Sequence, residues 1–185
     1  CPDVKLIYLV RDPIERTISH YRGSRRDGRE QRSFEAAVAD VDTSNYVLTS
    51  RYHFQLQPYL EQFSGEDLLV VTAEELDSAP TSTLRTIYRF LDVNPAFENQ
   101  RVGRRFNDSV GKKKLAPWTR WLSRQVPQSL KDRTRPYLPL HWLPGGRIPR
   151  PEVSPETRAR LEAVFRPDVE ALRDLTGHDF SAWSV

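Results

Sequence analysis

The decisive stretch of the chain is KLIYLVRDPIERTISHY, from Lys5 to Tyr21. It begins within a largely apolar run, Val4 to Val10, whose β-branched and aromatic residues predict a buried strand of a parallel sheet. Asp12 is placed to cap a following helix with Pro13 at its first position, where a missing N–H costs nothing. The stretch therefore predicts a strand, a short turn and a helix start, an arrangement that presents backbone N–H groups and a positive dipole end to an anion.

Two polar side chains of this stretch favour phosphate binding. Arg11 directly follows the predicted strand, at the edge of the sheet where open α/β folds bind ligands, and Ser19 lies about two helical turns into the next helix. A planar guanidinium matches phosphate oxygens with parallel N–H donors, while a hydroxyl can approach from a second side. The residues leave one alternative open, in which Arg11 forms a local ion pair with Asp12 and Ser19 is a spectator.

The rest of the chain alternates helical patterns with one further short strand. That order favours an α/β layered fold with parallel strands. Pro167 is expected to kink or restart the last helix. The predicted elements are helices over Pro13 to about Arg22, Phe34 to Val38, Thr49 or Ser50 to Gly65, Pro80 to Leu91, Pro117 to Arg124 and Pro155 to Gly177, a strand over Leu68 to Val71, and an extended loop over Arg135 to Pro151.

The composition indicates one globular domain. The chain has 185 residues, of which 38% are hydrophobic, enough for a real core. A single Cys excludes an internal disulfide framework and a multi-Cys zinc site, and no His, Cys and carboxylate cluster has ligand spacing, so we expect no metal. Without a signal-peptide pattern or an apolar run of ~18 residues, we expect a soluble, cytoplasmic chain.

Basic residues are concentrated in two clusters although the net charge is only +3. One cluster runs from Arg22 to Arg32, interleaved with Asp27 and Glu30, and the other from Arg101 to Lys114. Such runs are commonly solvated helix faces or loops. Basic clusters can also bind a polyanion. The competing interpretation is therefore that the chain is a non-catalytic module that binds nucleic acid or sulfated glycan.

The stretch from Lys5 to Tyr21 closely resembles the signature of sulfotransferases that use 3′-phosphoadenosine 5′-phosphosulfate, in which a strand is followed by Arg-Asp-Pro, a second Arg, Ser and Tyr. The resemblance implies that Arg11 and Ser19 hold the 3′-phosphate of this co-substrate, and that Arg16 helps to position them. It also implies a P-loop-NTPase-like fold, with residues 1–185 forming the carboxyl-terminal part of one domain. The resemblance continues in order through Tyr52, Tyr59, Leu68 to Val71, Glu74 to Leu76, Phe90 and Ser154 to Trp183.

A second stretch, Arg105 to Lys114, resembles the late cofactor loop of that family, an Asn-x-Ser-x-Gly pattern followed by basic residues. The resemblance implies that Gly111 lets the backbone approach a phosphate closely and that Lys112 or Lys113 supplies charge. The heparan-type enzymes have Lys-Gly-Arg here, whereas this chain has Val110 at the position of that Lys.

The resemblance implies sulfuryl transfer to a hydroxyl or amine of a small-molecule, carbohydrate or lipid acceptor, without nucleic acid as a partner. In the family, a phosphosulfate-binding loop and a His or Glu base precede the Arg-Asp-Pro motif, and Cys1 to Lys5 contain neither. We therefore assign no catalytic residue and expect both groups before residue 1. The lack of any Met agrees with a chain that begins inside a larger protein.

Overall fold

The computed structural model describes residues 4–97 and 148–185. The predicted helix over 117–124 and the second cofactor stretch, with Gly111, Lys112 and Lys113, lie outside these residues. The described elements are β1 (Leu6–Val10), α1 (Pro13–Arg26), α2 (Phe34–Ala37), α3 (Asn45–Leu48), α4 (Tyr52–Leu60), β2 (Leu68–Thr72), α5 (Ala73–Ser78), α6 (Pro80–Phe90) and α7 (Pro155–Thr176).

The two described strands form a parallel pair. Leu6 lies opposite Leu68, and Val10 lies opposite Thr72, so both strands end at the same edge of the sheet. The connection between them carries four α-helices, α1 to α4, and a short 3-10 helix over Gly65–Asp67, and it forms the crossover that parallel pairing requires. The predicted α/β architecture with parallel strands is therefore confirmed.

One face of β1 is packed and the other is open among the described residues. Tyr8 and Val10 contact a core cluster formed with α4 and α7, whereas Ile7 is 41% and Leu9 is 55% exposed. Successive side chains of a strand point to opposite faces. The exposure therefore alternates because only one face of β1 packs against other described residues. The prediction of a strand buried on both faces is not met within this part of the chain.

Helix α7 supports two core clusters, one on each side of Pro167. Leu161 and Phe165 pack against α1 and the following short helices, while Val169 and Leu172 pack under the sheet. All four of these side chains are at most 3% exposed. Burial on both sides stabilises a continuous helix, which explains why the helix does not restart at Pro167.

Helix α1 is longer than predicted, because it continues past Gly23 to Arg26. A glycine inside a helix costs only about 1 kcal/mol. Tyr21 packs in the core, and Arg25 and Arg26 favour the negative carboxyl end of the helix. These contributions offset the cost of Gly23, so the helix continues past it.

Other boundaries also differ from the sequence prediction. Helix α4 begins at Tyr52, because the chain before it forms the separate short helix α3. Helix α5 was not predicted; it begins after Thr72, whose hydroxyl and the Glu75 carboxylate form a capping box. Tyr59, which lies in the part of the chain where the family resemblance continues, is 53% exposed.

Candidate phosphate-binding site

The turn between β1 and α1 has the geometry that the sequence predicts. Asp12 is the N-cap of α1 and its Oδ1 accepts the Glu15 amide at 2.9 Å. Pro13 occupies the first turn, as expected. The amino end of a 14-residue helix therefore lies directly at the carboxyl edge of the sheet, where the positive end of the helix dipole favours an anion.

A network of long-range hydrogen bonds holds Asp12 in place. Its amide donates to Glu74 Oε1 at 3.0 Å, and its Oδ2 accepts the Ser184 amide at 2.6 Å. Glu74 Oε2 also accepts the indole N–H of Trp183 at 3.4 Å. The start of α5 and the carboxyl-terminal tail thus support the turn at the end of β1.

Arg11 is held by its backbone, which leaves its side chain available. The Tyr52 hydroxyl accepts the Arg11 amide at 3.2 Å and donates to the Arg11 carbonyl at 2.9 Å. The Arg11 side chain is half-buried, and its Nε is buried without a hydrogen-bond partner among the described residues. Three other arginines have such an Nε, so the feature that sets Arg11 apart is its place between the strand end and the helix start.

Ser19 lies two turns into α1, on the side away from the core. It is half-buried, and its hydroxyl makes no hydrogen bond to any residue within the described ranges. Gly23, one turn further on, has open space where a side chain would stand.

A polar cluster borders one flank of this open side. Arg16 Nη1 donates to the Thr49 hydroxyl at 3.0 Å and lies 3.4 Å from the Ser50 hydroxyl. Thr49 Oγ1 also lies 3.3 Å from Nδ1 of His20. Burial lowers the pKa of His20, with further lowering by Arg16 and Arg29, so His20 is neutral at pH 7. Arg16 therefore links α1 to the turn between α3 and α4, and its positioning role stays a prediction.

The opposite flank is bordered by the chain that leads into α7. Arg22 Nη2 donates to the Ile148 carbonyl at 3.1 Å. Arg150 forms two hydrogen bonds with Glu15, one of them from Nη1 to Oε2 at 2.8 Å. Neither contact was anticipated from the sequence, because no local pattern relates positions that lie more than 120 residues apart.

The arginine cluster from Arg22 to Arg32 is occupied by contacts within the protein. Arg25 donates to backbone carbonyls, and Glu30, which is 7% exposed, organises the turn before α2. The carboxylate contacts are Arg26 Nε to Asp27 at 3.1 Å, Arg29 Nη2 to Asp27 at 3.3 Å and Arg32 Nη2 to Glu30 at 2.7 Å. The arginines of the cluster are thus engaged in contacts within the protein, although Arg29 and Arg32 stay 79% and 60% exposed.

No group of three or more His, Cys, Asp or Glu side chains in residues 4–97 and 148–185 is arranged to hold a metal ion. In the same ranges, no helix is long and apolar enough to cross a membrane.

The chain is similar to known proteins over nearly its whole length. The model of the sulfotransferase domain family matches residues 1–173. Heparan sulfate glucosamine 3-O-sulfotransferase 3B1 of Mus musculus is 26% identical over 96% of this chain and 43% of its own length. The 3A1 enzyme of Homo sapiens is 28% identical over 96% of this chain and 41% of its own length. This chain thus spans less than half the length of these relatives.

A solved structure supports the same grouping. The crystal structure of a sulfotransferase from Alicyclobacillus acidocaldarius superimposes with a TM-score of 0.63 at 25% identity. The alignment covers all of this chain and 59% of that protein.

Proposed function

Because the chain belongs to the sulfotransferase domain family, we propose that it binds the 3′-phosphate end of 3′-phosphoadenosine 5′-phosphosulfate in a protein that transfers the sulfuryl group. The observation that carries the proposal is the environment of Arg11. The Tyr52 hydroxyl holds the Arg11 backbone at the strand end by two hydrogen bonds. The Nε of Arg11 has no hydrogen-bond partner among the described residues, and the amino end of α1 lies beside it. These donors suit a phosphate.

In the proposed reaction, the acceptor oxygen or nitrogen forms a bond to sulfur while the bond from sulfur to the 5′-phosphate oxygen breaks. The acceptor proton passes to a base, and adenosine 3′,5′-bisphosphate leaves. The described residues contribute binding and orientation, since fixing the nucleotide end aligns the sulfuryl group for in-line attack. We assign no base among them.

The acceptor we propose is a carbohydrate hydroxyl or amine. Relatives of this chain are named as heparan sulfate glucosamine 3-O-sulfotransferases and as a bifunctional heparan sulfate N-deacetylase/N-sulfotransferase. These names favour a sugar over the small-molecule or lipid acceptors that the sequence also allows.

Two expectations from the sequence stay predictions. One is that Gly111 and either Lys112 or Lys113 form a second contact to a phosphate, and the other is the cytoplasmic location.

The test is calorimetry on the full-length natural protein with two nucleotides, adenosine 3′,5′-bisphosphate and adenosine 5′-phosphate. We expect the bisphosphate to bind more tightly, because it alone reaches Arg11 and Ser19. In an Arg11→Ala, Ser19→Ala double variant we expect bisphosphate binding to weaken by at least about 100-fold, since each charge-assisted hydrogen bond contributes ~1.5–3 kcal/mol, with 5′-phosphate binding unchanged.

Arg166→Ala is the matched control, because Arg166 is exposed on α7 and its loss changes the net charge equally. Equal affinity of the native protein for the two nucleotides, or undiminished bisphosphate binding by the double variant, contradicts the proposal.

A further inference from the structure

We propose that Arg150 is a positioning residue of the phosphate site, and that it acts by neutralising Glu15 beside Ser19. The inference rests on the proposed function and deepens it. Arg150 and Glu15 are 135 positions apart, yet their side chains form a bidentate ion pair. Such a fork-to-carboxylate pair defines both orientation and charge.

The position of Glu15 on α1 makes its charge important. Glu15 and Ser19 are four residues apart, so they are neighbours on one side of the helix, separated by roughly 6 Å along its axis. An unpaired carboxylate there stands next to the position proposed for a phosphate dianion. By Coulomb's law, charges of −1 and −2 at that separation in water weaken binding about tenfold.

The chain around Arg150 is anchored at two points along the same side of α1. Ile148 is held by Arg22 through its carbonyl, and Arg150 is held by Glu15. Ser19 lies between positions 15 and 22, so these two contacts fix the segment from Ile148 to Arg150 before and after Ser19 along the helix. The contact of Arg16 with Thr49 lies on another side of α1.

Stability alone does not account for this pair. Its side chains are 53% and 34% exposed, and exposed pairs contribute little to folding. The hydrogen bond to Glu15 raises the pKa of Arg150, with a smaller contribution from the charge of Asp12, so the guanidinium stays charged. A permanently charged partner suits the neutralising role.

The test compares affinity for adenosine 3′,5′-bisphosphate in Arg150→Ala and in Arg150→Ala combined with Glu15→Gln, in the full-length natural protein. We expect the single variant to bind about tenfold more weakly, with a smaller defect at high ionic strength because salt screens the exposed carboxylate. The double variant should return to within about threefold of the native affinity. Arg166→Ala, which loses the same charge elsewhere, should bind normally.

If the ion pair only holds the chain before α7 in place, the affinities of the two variants should follow a different pattern. Both variants lack the ion pair, so both should then bind equally weakly; a defect that persists in the double variant, or an unchanged Arg150→Ala affinity, overturns the inference alone. Restored affinity in the double variant cannot come from better folding, because that variant also lacks the pair. Failure of the native protein to prefer the bisphosphate overturns the proposed function as well.

Discussion

The hydroxyl of Tyr52 bridges the two backbone polar groups of Arg11, at 2.9 Å from its carbonyl oxygen and 3.2 Å from its amide nitrogen. Tyr52 is 2% exposed, and its ring packs edge-on to Tyr8 and at a tilt to Trp183. Burial raises the pKa of Tyr52, so the phenol keeps the proton that it donates. A residue of α4 therefore sets the conformation from which the Arg11 side chain extends.

Replacement of Tyr52 by Phe should affect both folding and binding. Loss of the hydroxyl leaves two backbone groups at the strand end without this partner, so we expect the free energy of unfolding to fall by about 1–3 kcal/mol. We also expect several-fold weaker binding of adenosine 3′,5′-bisphosphate, because Arg11 is less well oriented. Urea unfolding and calorimetry measure the two effects. Tyr59→Phe, at an exposed position of the same helix, is the control, and native affinity in Tyr52→Phe contradicts the prediction.

Glu74 should be required for the turn that it supports. Its carboxylate accepts the Asp12 amide and the Trp183 indole, so Glu74→Ala leaves both donors without this acceptor. We expect a loss of about 1–3 kcal/mol in unfolding free energy, together with weaker bisphosphate binding. Glu61→Ala removes an exposed carboxylate from the end of α4 and should be neutral. Equal stability of the two variants contradicts the expected role of Glu74.

Asp168 should stabilise the fold without contacting the ligand. It is 6% exposed, and its two carboxylate oxygens accept the His53 and Phe54 amides at 3.0 Å each. Asp168 thus caps α4 from a distant helix, and Asp168→Ala should cost about 2–4 kcal/mol in chemical denaturation. Asp174→Ala, exposed on the same helix, should change stability little. A small effect at Asp168 argues against this capping role.

Glu30 should make stability depend on pH. The side-chain hydrogen bond from Arg32 lowers the pKa of Glu30 to about 2, helped by backbone amides and Tyr46 and opposed by desolvation. A lowered pKa stabilises the folded state above the ordinary value of 4.5, and this contribution is lost as pH falls from 4.5 toward 2. The stability difference between the native protein and Glu30→Gln should therefore be largest near pH 7 and shrink below pH 4.5.

Denaturant unfolding of both proteins across that range measures the difference. Glu170→Gln, exposed on α7, is the matched control for loss of one carboxylate. A difference between native protein and Glu30→Gln that stays constant from pH 7 to 3 contradicts the prediction.

The sequence predictions succeeded where neighbouring residues carry the signal. The start of α1 was predicted from Asp12 and Pro13, and the end of α7 from Gly177, which adopts a left-handed conformation with φ of 69°. They were less accurate at the end of α1, which continues to Arg26 instead of ending near Arg22, because packing of Tyr21 outweighs the local preference of Gly23. The helix does not restart at Pro167, since it is buried on both sides of that residue. Arg11 and Ser19 were named from a motif, and their role as ligands stays a prediction.

The sequence of neighbouring residues was sufficient to predict three features. These are the parallel α/β arrangement, the capped helix after β1 and the position of Arg11 at a sheet edge. These features depend on hydrophobic periodicity, capping and strand direction, which are properties of adjacent residues. The hydrogen bonds between the Tyr52 hydroxyl and the Arg11 backbone, and the ion pair of Glu15 with Arg150, depend instead on the tertiary fold. They join residues 41 and 135 positions apart, and only the packing of α4 and of the chain before α7 brings those side chains within hydrogen-bonding distance.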